Sequence, residues 1–291
     1  MTGGKPLNIE EILKDATLEL KTSRASDTPR LDAEVMLAHI LGCDRLNLIL
    51  NAKKSVSDEL RKRFSACLKR RLNEEPVSYI LGYREFMSLK FLVSSGVLIP
   101  RPDTEILAEF AIEKANEIKN ARVLDLCTGS GALAVSILKY AKSASAVAVD
   151  LSDICVKTAE ENAKNCGVSD RISVIKQDIL EDFDLNEKFD ILVSNPPYIK
   201  TETIKSLDKT VKDFEPCSAL DGGEDGLVFY RRIATISPRF IKNEGILAME
   251  IGHDQEKEVF DILNGSGAFH DIKFHCDLAG IKRVISAKVG V

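Results

Sequence analysis

The sequence predicts an α/β protein: a mostly parallel seven-stranded sheet with helices on both faces, preceded by a small helical bundle. Three observations predict it. Through residue 75 the chain reads as helices only, whereas after Asn120 short β-branched runs alternate with helical stretches. That alternation implies parallel pairing, because parallel neighbours need a long crossover between them. The last two runs are joined by residues 277–282 alone, too short for a helical crossover, so the final strand should run antiparallel.

The elements follow in order. Asn8 can cap a helix whose stripe is Ile9, Ile12, Leu13, Ala16 and Leu20, its side-chain oxygen taking an N–H that the first turn leaves unpaired. Thr28 before Pro29 opens a second helix, with Leu31, Val35, Ala38 and Leu41 on one side and Gly42 as its stop. A third begins at Ser57, with Leu60, Phe64, Cys67, Leu68 and Leu72 inward and Arg61, Lys62, Arg63, Lys69, Arg70 and Arg71 outward. Residues 86–90 and 92–99 then read as a β-hairpin with Gly96 at a turn or bulge, ended by Pro100-Arg101-Pro102. Asp103 caps a helix to about Ile118. Strands are expected at 122–126, 146–150, 172–176, 190–194, 246–250, 272–276 and 283–287, and helices at 131–140, 152–166, 227–241 and 255–263. The division is a helical domain at 1–75, a β-hairpin linker at 76–99 and a sheet domain at 100–291.

Composition narrows the class. With 291 residues, 44% hydrophobic and 29% charged, the chain can bury two cores and is too apolar for a disordered protein. No run reaches the about 18 apolar residues of a membrane helix. Residues 1–6 lack the charged head and apolar stretch of a signal peptide, so a cytoplasmic location is expected. The seven Cys form no CxxC pair and no Cys/His set at zinc spacing, which points to reduced thiols and no metal. The net charge of −5 hides an asymmetry: residues 1–99 carry 16 basic and 13 acidic side chains, leaving 24 and 32 for the rest. A basic first part and an acidic second part suggest modules with different partners.

The first chemical signal is VLDLCTGSG, residues 123–131, an apolar strand, a loop with Gly129 and Gly131, and a helix start. Glycines let backbone approach a ligand closely, and a helix N-terminus offers free N–H groups. Asp150, at the end of the next strand, can hold both hydroxyls of a ribose. Alone, the G-x-G-x-x-A spacing fits either a dinucleotide dehydrogenase or a nucleoside-binding transferase. Asp125 favours the transferase, because an acid there would repel a pyrophosphate but suits the ammonium of a methionine moiety.

The second signal is DILVSNPPY, residues 190–198. Pro196 and Pro197 have no N–H to donate and fixed φ, so the backbone after Asn195 is rigid and its carbonyls are left to accept from something else. Asn195 adds a side-chain carbonyl and Tyr198 a flat ring. Two acceptors and an aromatic wall make a clamp for a planar NH₂ group, whose nitrogen they hold in line with an electrophile such as a methyl on a sulfonium.

At these residues the chain resembles class I S-adenosylmethionine-dependent methyltransferases that act on amino or amide nitrogen. Together with PVSYILGYREFMSLKFLVSSGVLIPRPDTE (76–105), NPPYI (195–199), FEPCSALDGGEDGL (214–227), MEIGHDQ (249–255) and DLAGIKR (277–283), it resembles the peptide-chain release factor N5-glutamine methyltransferase family over residues 76–285. The resemblance implies a Rossmann-like methyltransferase sheet and a small N-terminal substrate-recognition domain. It implies methyl transfer from S-adenosyl-L-methionine, leaving S-adenosyl-L-homocysteine, to the glutamine N5 of the Gly-Gly-Gln loop of bacterial class 1 release factors, in support of translation termination. It implies that Cys127, Thr128, Gly129, Ser130 and Gly131 line the methionine and ribose, that Asp150 binds the ribose, and that Asp178 and Ile179 meet adenine. Asn195, Pro196, Pro197 and Tyr198 would hold the substrate glutamine and carry the catalysis. Cys127 stands where the family usually has Gly, and family members often have an aromatic near Ile179.

Other features read as follows. The cationic face at 53–71 is solvated surface or a dock for the substrate protein or ribosomal RNA; the acids among Gly222, Gly223 and Gly226 fit a turn and helix cap better than a metal loop. Residues 200–225 fit a mobile segment covering the substrate. The clamp equally suits the amine of adenine or a ribosomal-protein glutamine, but a nucleic-acid substrate needs a basic groove, and the net −8 after residue 99 disfavours it. The expectation is a monomer that takes a protein substrate, with no direct nucleic-acid substrate and no membrane.

Overall fold

The computed structural model describes residues 7–290. Residues 1–6, on which the absence of a signal peptide was read, lie outside the described residues. The chain forms two compact units: one runs up to Gly82 and includes Lys209–Phe214, the other comprises Tyr83–Asp208 and the chain from Glu215 on.

The first unit is helical. Asn8 caps α1 (Ile9–Ser23) in a capping box, its Oδ1 accepting from the Glu11 N–H while Glu11 Oε2 accepts from its own N–H, both at 2.9 Å. Next come α2 (Pro29–Leu41), α3 (Arg45–Leu50), α4 (Asp58–Leu72) and α5 (Val77–Leu81). Leu20, Met36, Leu37 and Phe64 are at the centre of the core. The helices α3 and α5, of six and five residues, are too short to show a period and were not expected. The cationic face is smaller than the sequence suggested. Arg71 is buried, its Nε 2.7 Å from an Asp32 carboxylate that also accepts from Ser26 and Thr28. Arg70 is engaged by Glu75 and by the carbonyls of Tyr79 and Ile80, which leaves Lys62, Arg63 and Lys69 exposed on α4.

The second unit opens on a hairpin, β1 (Tyr83–Phe86) and β2 (Leu89–Leu92). It lies earlier than expected because its turn is made by Met87 and Ser88, both at positive φ (50° and 57°), where no Asn-Gly signal marks it. A strap follows to a 3-10 turn at Pro102–Thr104, then α6 (Glu105–Glu117), β3 (Arg122–Leu126), α7 (Ala132–Tyr140), β4 (Ser145–Asp150), α8 (Asp153–Cys166), β5 (Ile172–Lys176) and β6 (Phe189–Ser194). Residues 200–225 hold α9 (Thr201–Ile204), α10 (Lys209–Lys212) and a 3-10 turn at Cys217–Ala219; α10 belongs to the helical unit, where Lys209 pairs with Glu74 at 3.1 Å. The chain ends in α11 (Val228–Phe240), β7 (Ile241–Glu250), α12 (Glu256–Gly265), β8 (Phe269–Cys276) and β9 (Lys282–Val289).

The sheet order is β5-β4-β3-β6-β7-β9-β8. Strands β3 to β7 pair in parallel, and β9 runs antiparallel to both β7 and β8, as the short last connection required. One core, around Val123, Ile137 and Ala148, packs under α6, α7 and α8; the other, around Leu124, Leu192 and Tyr230, packs under α11 and α12. With both faces covered, the central strands are apolar throughout, which is why the sequence shows runs rather than alternation. The order reverses between β3 and β6, so the crevice for a ligand opens at their carboxyl ends.

Candidate active site

A cavity of ≈ 380 Å³ opens at that point, lined by the β3–α7 loop, the ends of β4, β5 and β6, the strap at 96–104 and parts of 216–229. Its size suits a nucleoside joined to an amino acid.

The β3–α7 loop is tied down from three sides. Thr128 N–H donates to Val149 at 3.0 Å, Gly129 N–H to Asp150 Oδ2 at 2.8 Å, and Ser130 C=O accepts from Asn162 at 2.9 Å. The loop then passes so close to α8 that a Cβ at Gly131 would sit 3.0 Å from that of Ala159. Asn162, wholly buried, also bonds both backbone groups of Leu92, so one amide joins loop, helix and hairpin. Sequence reasoning missed it, because an Asn on a helix carries no pattern of its own.

Cys127, Thr128, Gly129, Ser130, Asp150, Asp178 and Ile179 all line the cavity; Gly131 closes the loop behind it. Cys127 adopts φ 61°, the left-handed region that favours glycine. Burial and the nearby Asp150 and Asp125 carboxylates push its thiol well above the ordinary range, so it stays protonated and does not act as a nucleophile. Asp178 shapes the end of β5 by accepting from Leu180 N–H at 2.9 Å, and Ile179 C=O accepts from Arg232 at 2.6 Å.

Asp125 sits elsewhere than at the cavity wall. It is completely buried beneath the loop, with Oδ2 accepting from Thr128 Oγ1 at 2.6 Å and from Ala134 N–H at 3.2 Å, while Oδ1 has no partner. Burial pushes its carboxyl up to about 7. It therefore braces the loop from below.

At the end of β6 the clamp residues lie together. Asn195 and Pro197 line the cavity; Pro196 is buried behind them. Asn195 Nδ2 donates to Thr104 Oγ1 at 3.1 Å, and Thr104 Oγ1 donates to Glu250 Oε2 at 2.5 Å. Tyr198 is turned away from the cavity: its hydroxyl donates to Glu250 Oε1 at 3.3 Å, and burial beside that carboxylate pushes the phenol well above its ordinary value. Its carbonyl accepts from Gln255 Nε2 at 3.0 Å, so of the backbone acceptors expected to be free, this one is occupied. Glu250 is buried, and its carboxyl is pushed up to about 7 by desolvation against the hydrogen bonds from Thr104 and Tyr198.

The Gly-rich 222–226 turn packs onto the clamp. Cβ atoms at Gly222 and Gly226 would lie 2.8 Å from Tyr198 Cα and 2.5 Å from its carbonyl oxygen, so the close approach requires glycine. Among the described residues no group of three or more His, Cys, Asp or Glu could hold a metal. Arg101 lines the cavity from the strap, its guanidinium 2.5 Å from the buried Glu215, whose other oxygen accepts from Ile99 N–H at 3.2 Å. Thr104, Asn162, Glu215, Glu250 and Gln255 hold the site in place and were not predicted.

The inserted antiparallel β9, the glycine loop over an acid, and an Asn-Pro-Pro end on the adjoining strand define a Rossmann-like methyltransferase rather than a dinucleotide enzyme. Similarity to known proteins agrees. The catalytic domain of human Mettl16, solved with a MAT2A 3′UTR hairpin, superposes with TM-score 0.57 at 15% identity, covering 81% of this chain and 84% of that one, which shows the fold. The model of the PrmC N-terminal domain matches residues 11–82 and that of the methyltransferase small domain residues 102–214. A release factor glutamine methyltransferase of Clostridium acetobutylicum is 42% identical over 89% of this chain and 91% of its own length; one of Agrobacterium fabrum is 36% identical over 98% and 99%. The chain belongs to the release factor glutamine methyltransferase family.

Proposed function

We propose that the protein transfers a methyl group from S-adenosyl-L-methionine to the side-chain N5 of the glutamine in the Gly-Gly-Gln motif of bacterial class 1 release factors. The observation that carries this reading is Asn195, anchored through Nδ2 with its carbonyl Oδ1 left to a cavity large enough for the methyl donor. The residues fit that donor: Asp150 for the ribose, Cys127 to Gly131 for methionine and ribose, and Asp178 and Ile179 for adenine, with Asp125 bracing the loop from below.

The donor supplies a methyl on sulfonium: the amide nitrogen forms the new C–N bond, the S–C pair stays on sulfur, and a proton leaves the nitrogen to water. The chain's part is to hold the acceptor. An amide nitrogen is a weak nucleophile because its lone pair is delocalised, and acceptors on its N–H bonds orient it and favour the positive charge that builds there. Asn195 Oδ1 and the backbone at Pro196 have that role, with Pro197 setting the wall and Tyr198 holding the Glu250 carboxylate behind it. The helical unit we take as the recognition part for the release factor, acting in the cytosol. A nucleic-acid substrate is less well supported, since among the described residues Arg101 is the only basic side chain lining the cavity and it is bound to Glu215.

The test is transfer of labelled methyl to release factor, ribosomal protein and duplex DNA in parallel, with Asn195→Ala beside the native chain. Label on release factor alone, lost in the variant, is expected. Label on DNA alone would overturn the reading.

A further inference from the structure

The amide of Asn195 can face two ways with nearly the same shape, and only one of them works. With Oδ1 toward the cavity it accepts from a substrate N–H; with Nδ2 there it sets donor against donor. The orientation must be fixed by something outside the cavity.

We propose that Thr104 and Glu250 are positioning residues, forming a one-directional hydrogen-bond relay that sets the orientation of the Asn195 amide. The inference rests on the reading of Asn195 as the holder of the substrate amide. Glu250 ends β7 with its side chain buried, so its carboxylate takes its hydrogen bonds from within the protein. The Thr104 hydroxyl, 2.5 Å from Oε2, has a single proton and gives it to that carboxylate, the stronger acceptor. Having donated, the same oxygen can only accept, and the group 3.1 Å away on Asn195 must therefore be the donor Nδ2. Oδ1 is left facing the other way and meets no donor among the described residues. Tyr198, 3.3 Å from Oε1, keeps the carboxylate from turning.

Asn195 and Glu250 lie 91 and 146 positions from Thr104, which is on the strap; Asn195 follows β6 and Glu250 ends β7. Each lies near the carboxyl end of its strand or at the start of α6, where the crevice opens. Thr104 also lines the cavity, so loss of its hydroxyl changes nothing but the relay and one small patch of wall.

The experiment is a double-mutant cycle under single-turnover conditions with labelled donor and release factor, using Thr104→Val, Thr104→Ser, Asn195→Ala and the pair Thr104→Val/Asn195→Ala. Removing one fixing hydrogen bond predicts a loss of about tenfold in the methyl-transfer rate for Thr104→Val. The dissociation constant for the donor stays near native, the unfolding midpoint falls because the buried Glu250 carboxylate loses a hydrogen-bond donor, and Thr104→Ser, which keeps the hydroxyl, restores the midpoint and recovers the rate to within about threefold. In the Asn195→Ala background Thr104→Val costs nothing further, because its effect runs through the missing amide. The same fold-loss in both backgrounds, or failure of Thr104→Ser to recover, would overturn the relay while leaving the clamp intact. Native activity in Asn195→Ala would overturn the clamp itself, and the relay with it.

Discussion

Gly129 and Gly131 separate two reasons for a glycine, and substituting each by Ala should separate stability from binding. Both have positive φ, 57° and 79°, so an added Cβ costs each about 1–2 kcal/mol of backbone strain. At Gly131 the Cβ would also lie 3.0 and 3.1 Å from Cβ and Cα of Ala159, a helix residue with no exposure and no room to retreat. Overpacking of that kind adds about 1–3 kcal/mol. At Gly129 nothing lies within 4 Å, and the residue lines the cavity. Gly131→Ala should therefore lose about 2–5 kcal/mol in urea unfolding, and Gly129→Ala only about 1–2 kcal/mol. In calorimetric titration with the methyl donor, Gly129→Ala should lose affinity by more than about tenfold, since its methyl occupies space meant for ligand. Equal losses of stability in the two variants, or native donor affinity in Gly129→Ala, would refute the reasoning.

Three further predictions follow from buried charge. Asp125 titrates near 7 when folded and near 3.8 when unfolded, so its contribution to stability is fully present below pH 3.8 and lost as pH rises through 7. Asp125→Asn should stabilise the ligand-free protein at pH 8 by up to about 4 kcal/mol, with little effect at pH 4, while weakening donor binding; unfolding at the two pH values checks it. Glu250, raised to about 7 with Thr104, Tyr198, Asp103 and Arg283 around it, must be a carboxylate for the relay to run one way, so kcat/KM should fall as pH drops below about 7. Glu250→Gln should flatten that acid limb, and a limb unchanged in the variant would assign it elsewhere. Arg71→Ala leaves Asp32 buried without its partner and should destabilise the helical unit by about 3–5 kcal/mol. Docking is better tested by reversing the exposed Lys62, Arg63 and Lys69, with methylation of whole release factor compared against a short Gly-Gly-Gln peptide.

Most of the sheet was legible in the sequence, because a strand buried on both faces is a short apolar run and a helix beside it keeps a 3.6-residue stripe. The strand at 122–126 was placed to the residue, and β9 was foreseen antiparallel from the length of one connection. The β1–β2 hairpin was displaced because Met87 and Ser88 carry no turn signal, and α3 and α5 are shorter than two helical turns. In the site, the loop, Asp150 and the Asn-Pro-Pro end were visible as local motifs. Their supports were not, since Thr104, Asn162, Glu215 and Glu250 act across 70 to 146 positions of chain and no local spacing records such pairings. Asp125 shows the same limit: its place in the motif is local, but whether it faces the cavity or the core is decided by packing against Thr128 and Ala134.

The central claim concerns one atom, the side-chain nitrogen of a glutamine held by Asn195. Its most direct test is to methylate purified release factor with isotopically labelled S-adenosyl-L-methionine and locate the label by fragment mass spectrometry. Label on the amide nitrogen of the Gly-Gly-Gln glutamine, absent when Asn195→Ala replaces the native enzyme, is the predicted result. Label on any other residue, or undiminished label with Asn195→Ala, would contradict the account.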